Sequence, residues 1–291
     1  MLMKQIALLL CLWAGLSQAS AQVSVEVTLD QDQFLPGETL IAGVRISNRS
    51  GQPLRFGTDD DWLTFSVESK DGLVVARTGD VPVLGEFVVD SSKRATKHVD
   101  LAPYFAFSKP GRYTITATVK IKDWGKETAS PQKNLNIVEG AHLWEQEFGL
   151  PKSSAPGDGE PEVRKYMLQQ VNYLKGQLRL YVRVTDAPGT RIFRTVPVGT
   201  MLSFSQPDTR LDKDSKLHLL YQSWARSFSY SVFNPDGEMI LRQTYDFKTA
   251  RPRFAVDADG NISIAGGERR VSQSDIPAPA LSVATENPKP R

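Results

Sequence analysis

A chain of 291 residues has room for about two ordinary domains. With 40% hydrophobic and 23% charged residues it can bury a real core, which excludes a chain disordered throughout. Lys plus Arg number 35 against 33 Asp plus Glu, and the resulting +2 supplies no field that would draw nucleic acid or an anionic membrane.

Residues 1–21 read as a signal peptide. Lys4 is a short positive start, Ile6 to Leu16 is an apolar run of eleven, and Ala19-Ser20-Ala21 is the small-x-small pattern of a cleavage site. A bilayer core needs ~20 apolar residues, so this run is too short to span, and no later stretch is long enough. Cleavage after Ala21 starts the mature chain at Gln22 and leaves no transmembrane anchor. The single cysteine, Cys11, lies within the leader, preceded by Leu10 rather than the small residue that lipidation takes. A mature chain without cysteine has no disulfide, no thiolate nucleophile and no Cys-ligated zinc. The expected location is outside the cytoplasm, periplasmic or extracellular.

From Gln22 to Gly140 the pattern alternates with period two. Val23, Val25, Val27 and Leu29 alternate with polar residues, as do Tyr113, Ile115, Ala117, Val119 and Ile121. Leu63, Phe65 and Val67 form a third such face, and Leu135 with Ile137 a fourth. Turn signals fall between them at Pro36-Gly37, Asn48 to Gly51, Asp71-Gly72 and Pro110-Gly111. Strands with one apolar face predict two antiparallel sheets packed face to face.

Two stretches of this half carry a resemblance. Gly37 to Asn48, a turn and a strand ending in Asn48-Arg49-Ser50-Gly51, looks like the B-strand region of bacterial immunoglobulin-like modules. Lys109-Pro110-Gly111-Arg112-Tyr113 looks like a tyrosine corner before strand F. Residues 22–140 therefore resemble an immunoglobulin-like sandwich of the fibronectin type, without the B–F cysteine pair. The resemblance implies adhesion, docking or spacing, and the fold alone fixes none of these.

Residues 141–162 change character. His142 to Phe148 predicts one or two helical turns with Trp144 and Phe148 as an i,i+4 pair. The Pro- and Gly-rich stretch from Pro151 to Pro161 has linker composition, which predicts a boundary between independently folding halves.

Residues 163–270 again read as strands, in a second and smaller antiparallel β domain. Leu178, Leu180, Val182 and Val184 alternate with Arg179, Tyr181 and Arg183, and Asn234-Pro235-Asp236-Gly237 signals a hairpin turn. Leu178–Arg183 is echoed at Leu217–Gln222, and Pro252 to Ala265 resembles the inner edge of a propeller blade. Propellers need about four blades, so a small sheet or sandwich is favoured over a propeller fragment. Residues 271–291, with Pro277, Pro279, Pro288 and Pro290, predict a disordered tail.

Asp257, Asp259, Asn261 and Glu268 sit at positions 1, 3, 5 and 12 of an EF-type loop, a weak metal candidate. Ile262 occupies the position that requires glycine, so a capped turn is favoured and no metal or other cofactor is expected. His98, His142 and His218 lie far apart, and each is expected at a surface or rim. No nucleophile elbow or phosphate loop is present, and the expectation is a protein without catalytic activity. The candidate ligand-binding residues are Trp224, in a turn beside Arg226, and Tyr181, out of phase with its strand's leucine face. The function read from these features is an exported binding or scaffolding module contacting another envelope or extracellular macromolecule, protein or glycan. A carbohydrate-binding accessory protein is the alternative, and a hydrolase is the third class.

Overall fold

The computed structural model describes residues 22–150, 162–173 and 177–277. Residues 1–21, read above as a signal peptide and holding Cys11, lie outside the described residues, as do the stretch 151–161 and the residues from 278. The protein is all-β: antiparallel sheets dominate, and no α-helix occurs among the described residues. No helix there is long and apolar enough to cross a membrane.

The chain divides into two units, the first comprising residues up to 33, 40–106 and 111–136. Its strands run β1 (Val23–Leu29), β2 (Gln33–Phe34), β3 (Ile41–Asn48), β4 (Leu54–Phe56), β5 (Leu63–Ser69), β6 (Phe87–Val89), β7 (Arg94–Asp100), β8 (Gly111–Ile121), β9 (Lys126–Ala129) and β10 (Lys133–Ile137). One sheet has the order β1-β3-β7 and the other β2-β10-β8-β5, with β9 on β8 and a small β4-β6 ribbon apart. The alternating apolar faces make the core. Val23, Val25 and Val27 of β1, Val44 and Ile46 of β3, and Ile115, Ala117 and Val119 of β8 are all buried. Trp62, out of phase with Leu63, is buried too. Its indole Nε1 donates to Val83 O at 2.9 Å, and its ring lies 5.6 and 5.5 Å from those of Phe56 and Phe87 on the ribbon.

The second unit takes residues 34–39, 107–110 and everything from 137 onward. It is the larger of the two, not the smaller. Its strands are β11 (Ala141–Gly149), β12 (Val163–Tyr173), β13 (Gln177–Asp186), β14 (Ile192–Met201), β15 (Asp208–Leu211), β16 (Leu217–Trp224), β17 (Ser227–Phe233), β18 (Met239–Asp246), β19 (Arg253–Val256), β20 (Ile262–Ala265) and β21 (Glu268–Arg270). Two meanders result, β11-β12-β13-β14 and β15-β16-β17-β18-β21. One core joins them face to face: Phe148, Tyr166, Leu168, Leu180, Val182 and Val184 from the first sheet pack with Leu217, Leu219, Tyr221 and Phe233 from the second. The arrangement is a sandwich rather than part of a propeller. Across its second sheet lies the β19-β20 hairpin, whose Phe254 and Ile264 cover Leu220, Phe228, Tyr230 and Val232.

Three expectations are corrected here. Residues 142–148 are strand, not helical turns, because β11 pairs along its length with β12, from Ala141 opposite Gln170 to Gly149 opposite Val163. A bulge between His142 and Trp144 breaks the alternation, and the Trp144–Phe148 spacing imitates a helical pair. The same pairing means that 151–161 joins two neighbouring strands of one sheet and does not separate two domains. Finally, residues 271–277 belong to the fold: Ile276 exchanges main-chain hydrogen bonds with Arg242, and Asp275 accepts from Ser272 N and Arg269.

Candidate binding cleft on the second unit

The hairpin covers only part of the outer face of its sheet. Beside it the chain leaves a cleft of about 590 Å³, lined by Phe204, Gln206, Asp208, Gln222, Arg251 and Arg253 together with Ser205 and Pro252. Known ligand sites have volumes of ~300–1,000 Å³. Asp208 and Gln222 come from adjacent strands β15 and β16, whereas Arg251 and Arg253 flank buried Pro252 where the hairpin begins. Two glycines hold that entrance. Gly266 has φ +74° and a Cβ there would sit 2.6 Å from Arg251 O, while Gly267 N donates to Ala250 O at 2.9 Å. Only glycine satisfies both the left-handed backbone and the close approach.

The lining is polar and cationic with an aromatic rim. The Arg251 guanidinium lies 5.1 Å from the Phe228 ring centroid, a stacking contact that orients it. Neither Arg251 nor Arg253 has an ion-pair partner among the described residues. Gln222 Nε2 donates to Ala225 O at 2.9 Å, which leaves its Oε1 to accept. Ser205, on the wall, has a buried hydroxyl without a hydrogen-bond partner.

Trp224 lies two residues beyond the lining residue Gln222, at the end of β16. Leu202 N donates to Gln222 O at 3.2 Å, which ties the Phe204 loop to that strand. A bulge between Gln222 and Trp224 re-aims the end of β16. Phe204 is 80% exposed and Trp224 63% exposed, the largest aromatic surfaces presented to solvent among the described residues. In the sequence Phe204 is one of many aromatics in the second half, and core packing is the favoured reading of that set.

Tyr181 is not part of the site. It is 2% exposed, which corrects its reading as a solvent-facing residue. It does leave the leucine face of β13, but residues 34–39 run along the other face: Glu38 bridges to Thr195, and both Arg183 and Thr195 donate to Pro36 O. Burial holds the Arg183 guanidinium below its ordinary pKa.

Asp257 to Asn261 form the turn of the β19-β20 hairpin. Asp257 Oδ1 accepts from Asp259 N and Asn261 N, Oδ2 accepts from Asn261 Nδ2, and these bonds hold its carboxyl below the usual carboxylate range. Its oxygens thus serve the turn. Glu268 lies on β21 in an ion pair with Lys248, away from any ring of ligands. No group of three or more acids or histidines able to hold a metal occurs among the described residues.

One polar network went unseen in the sequence. His218 is 7% exposed instead of lying at a rim, with Nδ1 2.7 Å from Tyr230 Oη and Nε2 3.3 Å from Asp212 Oδ2. A carboxylate only accepts, so Nε2 carries the proton and Nδ1 receives the phenol's. Burial pushes the ring's pKa down against the pull of Asp212, and pushes the Tyr230 phenol up.

No family model and no curated protein matches this chain. Among solved structures, the crystal structure of Spo0M, sporulation control protein, from Bacillus subtilis is similar at 10% identity and a TM-score of 0.31, over 61% of this chain and 90% of that one.

Proposed function

We propose that this is an exported binding protein, not an enzyme, that contacts another envelope or extracellular macromolecule through the rim of the cleft beside the β19-β20 hairpin. The observation that carries the reading is the exposed Phe204 ring on a polar cleft, with a second exposed ring, Trp224, two residues along β16 from the lining residue Gln222. Large aromatics left mostly in water cost hydration free energy, and recognition sites are where such rings concentrate. Asp208 is the one acid lining the cleft, whereas glycoside hydrolysis takes a pair of carboxyl groups. The leader-like residues 1–21 support export. For the first unit, the immunoglobulin-like reading is supported by its strand orders, β1-β3-β7 against β10-β8-β5, which match A-B-E against G-F-C. The burial of Tyr113 at the start of β8 supports the same reading, as the candidate corner tyrosine.

The test is co-sedimentation of the mature chain with isolated cell envelopes, comparing wild type with Phe204→Ala/Trp224→Ala. Both positions are exposed, so the melting temperature should hold while affinity falls roughly thirtyfold, the loss of one strong anchor. Unchanged binding by a folded double variant would overturn the proposal.

A further inference from the structure

We infer that the cleft recognises an anionic glycan, a polysaccharide bearing uronic-acid carboxylates, with the carboxylate on Arg251 and Arg253 and the sugar hydroxyls on Asp208 and Gln222. The inference rests on the binding face proposed above and names the chemistry that face takes. Two guanidinium groups stand on one short stretch, either side of Pro252, with no acid paired to them among the described residues. A planar guanidinium fork matches a carboxylate through two parallel hydrogen bonds. Arg251 is further held by its stacking on Phe228.

Cations alone would suit any anion. The opposite wall narrows the class. Asp208 and the free Oε1 of Gln222 are acceptors, and a ligand meeting them must bring donors. A uronic acid residue carries both: one carboxylate and several hydroxyls on a single ring. An acidic peptide would place further carboxylates against Asp208. A bare phosphate would leave the acceptor wall unmet. The Phe204 ring at the rim offers a flat apolar surface for a sugar face, which an aromatic side chain serves better than an aliphatic one.

The experiment titrates the mature chain, by calorimetry at low and at moderate salt, with oligogalacturonides, with neutral dextran oligosaccharides and with polyglutamate. Binding of the oligogalacturonides alone, weakened by salt, is expected. Arg253→Gln and Arg251→Gln should each weaken it about tenfold or more. Arg253 is exposed with no ion pair to lose, so that variant should melt as wild type and keeps the test valid if Arg251→Gln unfolds. Equal binding of dextran, with no effect of either arginine variant, overturns the anionic class but leaves the binding face standing if Phe204→Ala still weakens it. Tighter binding of polyglutamate overturns the glycan in favour of an acidic protein. Binding of none of the three overturns the inference, and the envelope assay with the Phe204/Trp224 variant decides the underlying reading separately.

Discussion

The phenol of Tyr230 donates to Nδ1 of His218 across 2.7 Å, in a place where both side chains are almost closed to water. Their strands, β16 and β17, are buried on both faces: Leu217, Leu219 and Tyr221 point into the sandwich, and His218 and Leu220 point out of it. The outer layer, built by the β19-β20 hairpin, turns a histidine that local alternation would put at the surface into an interior one.

This arrangement predicts a pH dependence. The folded ring is held neutral, with its pKa below the unfolded value of ~6.5, chiefly by burial. Above that value both states are neutral at this site and the stabilisation is complete. As the pH falls below it, the unfolded chain takes up the proton first, so stability is lost until the folded ring also titrates. Protonation would also place a donor opposite the Tyr230 hydroxyl. The melting temperature should drop between pH 7 and pH 5, and His218→Gln should flatten that slope. An identical slope in the variant would exclude His218 as its source.

Tyr181 and Trp224 should respond oppositely to truncation. Tyr181→Ala removes a fully enclosed ring and should cost about 3–5 kcal/mol. Trp224→Ala, at 63% exposure, should stay within ~0.5 kcal/mol. Urea denaturation of each single variant reads both values, and a large loss from Trp224→Ala would place that ring in the packing instead of on a recognition surface.

The two cases also show what the sequence carries. Alternation revealed β1, β5, β8 and β13 because each has a polar and an apolar face that its local pattern spells out. What covers a second face is contributed by distant chain, and no window reveals it. Residues 34–39 reach the outward face of β13, and Phe254 and Ile264 reach that of β17. Trp224 was legible as an aromatic beside a turn, and Asn234 to Gly237 as a hairpin, since Gly237 takes φ +78° and Asn234 Oδ1 accepts from two main-chain amides. Edge strand β11, largely exposed and bulged, had no alternation to read.

Cutting the chain between Pro151 and Pro161 should not release two folded halves. β11 lies before the stretch and β12 after it, hydrogen-bonded in one sheet, with Phe148 stacked 4.2 Å from Tyr166. A protease site inserted at residue 156 should give a nicked protein that elutes as one species in buffer and separates in urea. Separation in buffer would contradict the β11–β12 pairing.

Calcium should leave the melting temperature unchanged, as should a chelator, because the Asp257 oxygens are engaged within their own turn. Asp257→Ala should lower it by releasing Asp259 N and Asn261 N. A calcium-induced rise of several degrees would mean that the ion binds the native state and that the turn is a metal site.

The proposed binding face is tested most directly by fluorine NMR of residues 22–291 labelled with 5-fluorotryptophan, the Trp224 resonance assigned through Trp224→Phe. Addition of solubilised envelope polysaccharide and protein fractions should shift or broaden the Trp224 signal while the buried Trp62 signal stays in place. A fraction that binds the protein yet perturbs the other tryptophans and leaves Trp224 untouched would contradict the account.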